Sequence, residues 1–315
     1  MRVDQTLVIE AAVSPFRADA PVANADGLIE ESIACIAAGA AVVHHHHDQR
    51  LERDAAIERL IDTCHSILDA QPGALERLTI TDLLSQRSGL ARHDFLWHAR
   101  PDMTRAQFAA AQGALAMQNA PGGRFGYTNS ALILAGRVIE LRAGQSWEAF
   151  TAARIFIPLG MTRTNYSSAG LGADANAARA TKRSNGASRT VAWRDARLLG
   201  PAGAINSTAH DMGQWLLMLT NDGALANGQP LVRPETLKTL WTPVAGPEQQ
   251  RARKPTNDDD VGGYALGWRV GTWRGVRRIT HSGAIDGFRA RVTVFPDARI
   301  GIAVMKVVDP LLFGS

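Results

Sequence analysis

Three small constellations in this sequence have the residue types and spacing to do chemistry. The first is Tyr127-x-Asn129, carried by the stretch Pro121-Gly122-Gly123-Arg124-Phe125-Gly126-Tyr127-Thr128-Asn129-Ser130. Glycines let the backbone take positive φ and approach other groups closely. The stretch therefore reads as a tight turn that holds a phenol and a carboxamide on a ledge, at the mouth of the apolar run Ala131-Leu132-Ile133-Leu134. The second is His281-Ser282-Gly283, on a late run of strand length. The third is His44-x-His46 within His44-His45-His46-His47-Asp48. Residues two apart on a strand share a face, so these two imidazoles can reach one metal ion. Catalytic zinc normally takes three protein ligands, of which the pair supplies two.

A fourth group is conspicuous by its absence from the sequence. An unactivated serine hydroxyl is a poor nucleophile near neutral pH and needs a neighbouring base. From Ser14 and Ser32 through Ser66, Ser85, Ser88 and Ser130 to Ser282, no serine has a lysine three positions on, and the first lysine of the chain is Lys182.

The elements that must position these groups follow from periodicity. Residues 6–13 and 40–43 are apolar runs of strand length, and between them Asp26 caps a helix with Leu28, Ile29, Ile33 and Ile36 at helical spacing. A second helix, about 54–69, carries Ile57, Leu60, Ile61, Cys64 and Leu68 on one stripe. Strand, helix, strand, helix is the start of a parallel α/β unit. From Pro72 the texture changes. Thr79-Ile80-Thr81-Asp82 opens a helix with a capping box, expected to end at Gly89. Further helices are expected from Thr104 to about Gln118, over 130–142, from Ser146 to about Pro158, and after the Thr208 cap. Residues 163–206 are poorly periodic, and so long a connection suggests an excursion that shapes a cleft. Tyr264–Val270, Val276–His281, Arg289–Phe295 and Ile300–Val307 read as an antiparallel meander.

Bulk properties bound the function. A chain of 315 residues with 45% hydrophobic and 20% charged residues suits one large domain or two. No window reaches the roughly 20 apolar residues of a membrane span, and the N-terminus has no signal-peptide core, so a cytoplasmic location and no membrane partner are expected. The net charge of +4 is scattered, without a basic helix or aromatic platform, which argues against nucleic acid. Cys35 and Cys64 match no metal or redox spacing and read as buried thiols.

From about Glu76 onward the chain resembles the serine β-lactamase-like family of class C β-lactamases, D-Ala-D-Ala carboxypeptidases and related esterases. Six phrases carry the resemblance in series: LTITDLLSQRSGL, PGGRFGYTNSALILAGRVIE, IFIPLGMTRTNYS, GPAGAINSTAHDMGQWL, YALGW and HSGAIDGF. It implies that Tyr127 shares in proton transfer to and from a nucleophile and leaving group. It implies that Asn129 hydrogen-bonds the substrate, and that His281, Ser282 and Gly283 form the third motif on the strand lining the cleft. The family's Ser-x-x-Lys pair should precede LLSQRSGL and has no counterpart here.

Residues 6–75 resemble the opening of the β-keto acid cleavage enzymes, the 3-keto-5-aminohexanoate cleavage family. Those are zinc-dependent TIM barrels whose second strand presents a His-x-His pair, matched by His44 and His46. The expected fold is thus α/β (α+β). A partial TIM-barrel fragment over 1–75 precedes a truncated β-lactamase-like domain over 76–315, made of a helical subdomain and an antiparallel sheet. The expected function is a serine-hydrolase scaffold for small esters, amides or β-lactams, impaired by loss of the nucleophile motif and needing no cofactor. The alternatives are zinc-dependent β-keto acid cleavage by the N-terminal part, or a non-catalytic binding protein or non-functional chimera.

Overall fold

The computed structural model describes residues 9–13, 40–45, 77–92, 97, 100–115, 117–184, 187–246 and 259–307. The chain divides into two compact units, one of residues 1–75 with 110–116 and one of residues 76–109 with 117–315.

In the first unit, β1 (Ile9–Val13) pairs in parallel with β2 (Ala40–His45), Val13 opposite His45. The two expected strands are present and parallel, as a crossover unit requires. The two helices expected over 26–38 and 54–69, and Cys35 and Cys64 on them, lie outside the described residues.

The second unit begins with helices. They are α1 (Ile80–Leu84), α2 (Arg105–Ala114), whose residues from 110 on are counted with the first unit, α3 (Asn129–Ala143) and α4 (Trp147–Thr151), which runs on into a π turn at Ala152–Phe156. The caps read from the sequence are in place. Thr79 and Asp82 exchange hydrogen bonds at the start of α1, and the Ser146 hydroxyl accepts from Ala149 N at the start of α4. Gly144 ends α3 in the left-handed conformation that glycine adopts without penalty. α1 stops at Leu84 rather than Gly89, because Gln86 turns into the left-handed region at φ 59°.

A hairpin of β3 (Thr181–Ser184) and β4 (Ala187–Thr190) occupies part of the long excursion, followed by α5 (Gly200–Gly203) and α6 (Ala209–Thr220). α7 (Pro234–Leu240) is a helix that periodicity did not reveal, being only seven residues long with proline at its start.

The sheet has five antiparallel strands in sequence order: β5 (Asp259–Tyr264), β6 (Arg269–Trp273), β7 (Val276–Ile285), β8 (Phe288–Phe295) and β9 (Ile300–Val307). The meander is as expected with one correction. The run Tyr264–Val270 is not one strand: Tyr264 ends β5, Arg269 and Val270 begin β6, and residues 265–268 between them form a turn closed by Ala265 N to Trp268 O at 2.7 Å with Gly267 at φ 80°. Arg274-Gly275 and Asp286-Gly287, with positive φ at both residues, make the two-residue turns whose twist matches paired strands. One sheet face, with Val270, Ile279 and Val294, packs on Leu216 and Leu219 of α6 and on Leu237 and Trp241. Leu216 comes so close to Gly301 that a side chain there would displace it.

Candidate active site

The site is built on the turn that follows α1. Gln86 is fully buried, and its strained φ is held by what it binds. Its main-chain oxygen accepts from Gly126 N at 2.8 Å, and its side-chain Oε1 accepts from Thr128 N at 2.8 Å. Arg87 continues the clamp. Its guanidinium donates to the carbonyls of Gly122 and Gly123, and its own carbonyl accepts from Gly122 N at 2.9 Å. The Gly-rich turn is therefore a fixed ledge because Gly122, Gly123, Gly126 and Thr128 are all tied to Gln86 or Arg87.

Thr128 caps α3, accepting from Ser130 N, so Asn129 is the first helical residue and Tyr127 the last before the cap. Tyr127 and Asn129 are both half-buried, the condition of groups that line a cleft. Ser130 beside them is fully buried and its hydroxyl has no hydrogen-bond partner, which shuts it away from any ligand.

The opposite wall comes from the sheet. Gly267 N donates to Leu84 O at 2.8 Å, tying the β5–β6 turn to α1. That brings Tyr264, the last residue of β5 and fully buried, beside His281 of β7. The phenol oxygen lies 3.2 Å from His281 Nε2. The Tyr127 ring centroid is 6.2 Å from that of His281 and 6.5 Å from that of Tyr264, and Phe125 packs on Tyr264 at 5.2 Å. The Arg269 guanidinium sits 5.6 Å from the Tyr264 ring centre.

These surroundings set the charges. Burial, and then the neighbouring Tyr127, push the Tyr264 phenol far above its ordinary range, with Arg269 opposing. Burial, seconded by the positive charge of Arg269, pulls His281 below the usual imidazole value, against a hydrogen bond to the Ser282 main chain. At neutral pH the cleft wall is a neutral phenol against a neutral imidazole.

Tyr127 and His281, picked from the sequence, are thus brought together from 154 positions apart in the chain, and Asn129, also picked, follows Tyr127 as the first residue of α3. Ser282 and Gly283 continue β7 and are exposed. Alternation along the strand sends Ser282 to the sheet face opposite His281, whereas Gly283 shares His281's face and has open space where a side chain would stand. His44 lies on β2 and His46 lies outside the described residues. Among the described residues no three His, Cys, Asp or Glu side chains gather as a metal site. Tyr264, Gln86 and Arg269 are site residues that sequence reasoning missed. Tyr264 and Gln86 stood inside quoted motifs, YALGW and LLSQRSGL, but only the fold shows that they face the ledge.

Comparison with known proteins gives the same outline. The family profile described as Beta-lactamase matches residues 36–308, beginning inside the stretch read as a barrel fragment. An unguisins hydrolase of Aspergillus violaceofuscus is 28% identical over 74% of this chain and 44% of its own length. Penicillin-binding protein 4 of Amycolatopsis lactamdurans is 26% identical over 78% of this chain and 64% of its own. The chain thus spans about half to two thirds of the length of these relatives. Among solved structures, a D-stereospecific amidohydrolase from Streptomyces superposes with a TM-score of 0.61 at 21% identity, covering 89% of this chain and 79% of that one. The octameric penicillin-binding protein homologue from Pyrococcus abyssi gives the same TM-score and identity, covering 76% and 54%. With a profile match over most of its length and an antiparallel sheet beside helices in the same arrangement, the chain belongs to the beta-lactamase family and has a serine-hydrolase scaffold of that type.

Proposed function

We propose that the cleft between the Tyr127-Asn129 ledge and the β7 strand receives the carbonyl group of a small amide, ester or β-lactam, and that this chain is impaired in the acylation step. The observation that carries the first half is the approach of Tyr127 on the ledge to His281 on the facing strand, from two distant parts of the chain. In this reading Asn129 hydrogen-bonds the ligand's amide or carbonyl. Tyr127 is the proton-transfer group, and the exposed edge at Ser282 and Gly283 lies alongside the bound molecule. The similarity to a D-stereospecific amidohydrolase favours amide-type substrates.

The second half rests on the sequence. A covalent route needs a hydroxyl whose proton is taken by an adjacent base. No serine here has a lysine one helical turn on, and the serine adjoining the ledge is buried. The test is turnover of a chromogenic cephalosporin, short-chain p-nitrophenyl esters and D-amino acid p-nitroanilides, with intact-protein mass spectrometry for an acyl adduct. Saturable binding without an adduct is expected. An adduct, or turnover abolished by Tyr127→Phe, would overturn the impaired reading.

A further inference from the structure

Beyond the ledge itself, the structure holds a buried polar chain to which no function has been assigned. His281 Nε2 faces the Tyr264 oxygen at 3.2 Å. Gln86 Nε2 is buried without a hydrogen-bond partner, and the side chain acts on the phenol as a donor does, opposing the rise in its pKa. The orientation of this amide is not free. Oε1 accepts from Thr128 N at 2.8 Å, which leaves the Nε2 end as the one available to Tyr264. An amide nitrogen only donates, so toward Gln86 the phenol oxygen can act only as an acceptor, and its own proton is free for His281. The Ser282 main chain beside the ring opposes the fall in its pKa, as an acceptor for a ring N–H does.

We propose that Tyr264 is a positioning residue for His281: the phenol donates into Nε2 and fixes the imidazole as the tautomer with its proton on Nδ1, while Gln86 orients the phenol from behind. Both ring nitrogens are then occupied, one accepting from Tyr264 and one donating toward Ser282. His281 becomes a neutral, oriented wall of the cleft, and Tyr127 is the group beside it that exchanges protons with a ligand. Among the described residues the groups that face the ring are Tyr264, Tyr127 and Arg269, and none supplies a negative charge that would hold an imidazolium. Gln86 thereby joins the two walls, since one side chain holds Thr128 on the ledge and Tyr264 on the sheet.

The proposal rests on the cleft described above, but its test reads the imidazole and not turnover, so the two can fail separately. Protein labelled with 15N-histidine is examined by long-range proton–nitrogen correlation, and the His281 signals are identified by their loss in His281→Gln. In the wild type, above the pH at which the ring titrates, Nδ1 is expected to be the protonated nitrogen and Nε2 the bare one. Tyr264→Phe should replace this by a mixture of tautomers, and Gln86→Met should weaken the preference while leaving the fold intact by circular dichroism. A wild-type ring protonated on Nε2, or a tautomer unchanged in Tyr264→Phe, would overturn the proposal. A tautomer unchanged in a folded Gln86→Met would remove Gln86 from it. If Gln86→Met does not fold, the wild type and Tyr264→Phe still decide the role of Tyr264.

Discussion

Arg194 grips Asp286 with two parallel hydrogen bonds, Nε to Oδ2 at 2.7 Å and Nη2 to Oδ1 at 3.1 Å. Asp286 is the first residue of the β7–β8 turn, at φ 37°, so the pair ties the cleft end of β7 to the segment after β4. Two contributions separate here. The ion pair is about a quarter to a third exposed on each side and is worth roughly 0.5–1 kcal/mol. The positive φ costs an ordinary residue roughly 1–2 kcal/mol more than it costs glycine, with Asp and Asn intermediate. Asp286→Asn should therefore lower the urea midpoint slightly and Asp286→Ala clearly more, while Asp286→Gly falls near Asn. Equal losses in Asn and Ala would show that charge, not backbone, governs the turn.

Gly89 and Gly144 both have positive φ, at 75° and 65°, yet they should respond very differently to alanine. A side-chain carbon at Gly89 would drive into the main-chain carbonyl of Asn119, whose backbone N–H, with that of Gln118, donates to Gly89 O. At Gly144 nothing lies within 4 Å. Gly144→Ala should cost only the backbone penalty, about 1 kcal/mol. Gly89→Ala should cost at least about twice that and should also weaken ligand binding, because the segment 85–90 is the base of the Tyr127 ledge. Thermal unfolding of the two variants side by side checks the ranking, and a Gly144→Ala variant as unstable as Gly89→Ala would contradict it.

The parts of this site legible in the sequence are those that depend on local chemistry. Thr79, Ser146 and Thr208 announced helix starts because a cap is a contact between residues three apart. Tyr127, Asn129 and His281 stood out because they follow motifs in a fixed order. Gln86 was illegible for a physical reason: its significance lies in φ 59° and in bonds to residues forty positions away, neither of which leaves a local pattern. Tyr264 was concealed by the apparent strand Tyr264–Val270, since alternating apolar residues look alike whether they pass through a strand or around a hairpin. Its partner in the cleft is seventeen positions on, across two turns.

Acid should act on this fold in two steps of the same sign. His281 has a folded pKa below its ordinary 6.5, chiefly through burial, so below that value the unfolded chain binds the proton more readily. The stability it contributes is present above about pH 6.5 and is lost as pH falls toward its folded pKa. Asp211 adds a second loss lower down. Burial alone would raise its pKa, but hydrogen bonds from the Thr164 hydroxyl and Arg163 N–H outweigh burial and hold it below 3.8. Its contribution persists above about pH 4 and disappears as pH falls through the folded value. Urea midpoints measured from pH 8 to pH 3 should decline throughout. His281→Gln should flatten the upper part of the profile and Asp211→Asn the lower. A wild-type midpoint that rises on acidification from pH 7 to 5 would reverse the sign assigned to His281.

Behind the ledge, Arg105 is the least replaceable charge in the described helices. It is 8% exposed, and it donates to Glu140 Oε1 at 2.5 Å, to both oxygens of Glu148 and to the Arg197 carbonyl at 2.7 Å, with its guanidinium 5.7 Å from the Trp147 ring centre. One side chain thus joins the start of α2 to α3, α4 and the segment before α5. Removing it leaves two carboxylates facing each other in a poorly solvated place, which typically costs about 3–5 kcal/mol. Arg105→Lys should recover little, since an ammonium cannot present the planar fork that meets two carboxylates and a carbonyl together. Arg105→Met combined with Glu140→Gln and Glu148→Gln should recover most of the loss, because the penalty lies in the uncompensated charges rather than in the missing attraction. The check is a comparison of unfolding midpoints for the single and triple variants. A triple variant no more stable than Arg105→Met would mean that the geometry of the guanidinium, and not charge balance, holds these helices together.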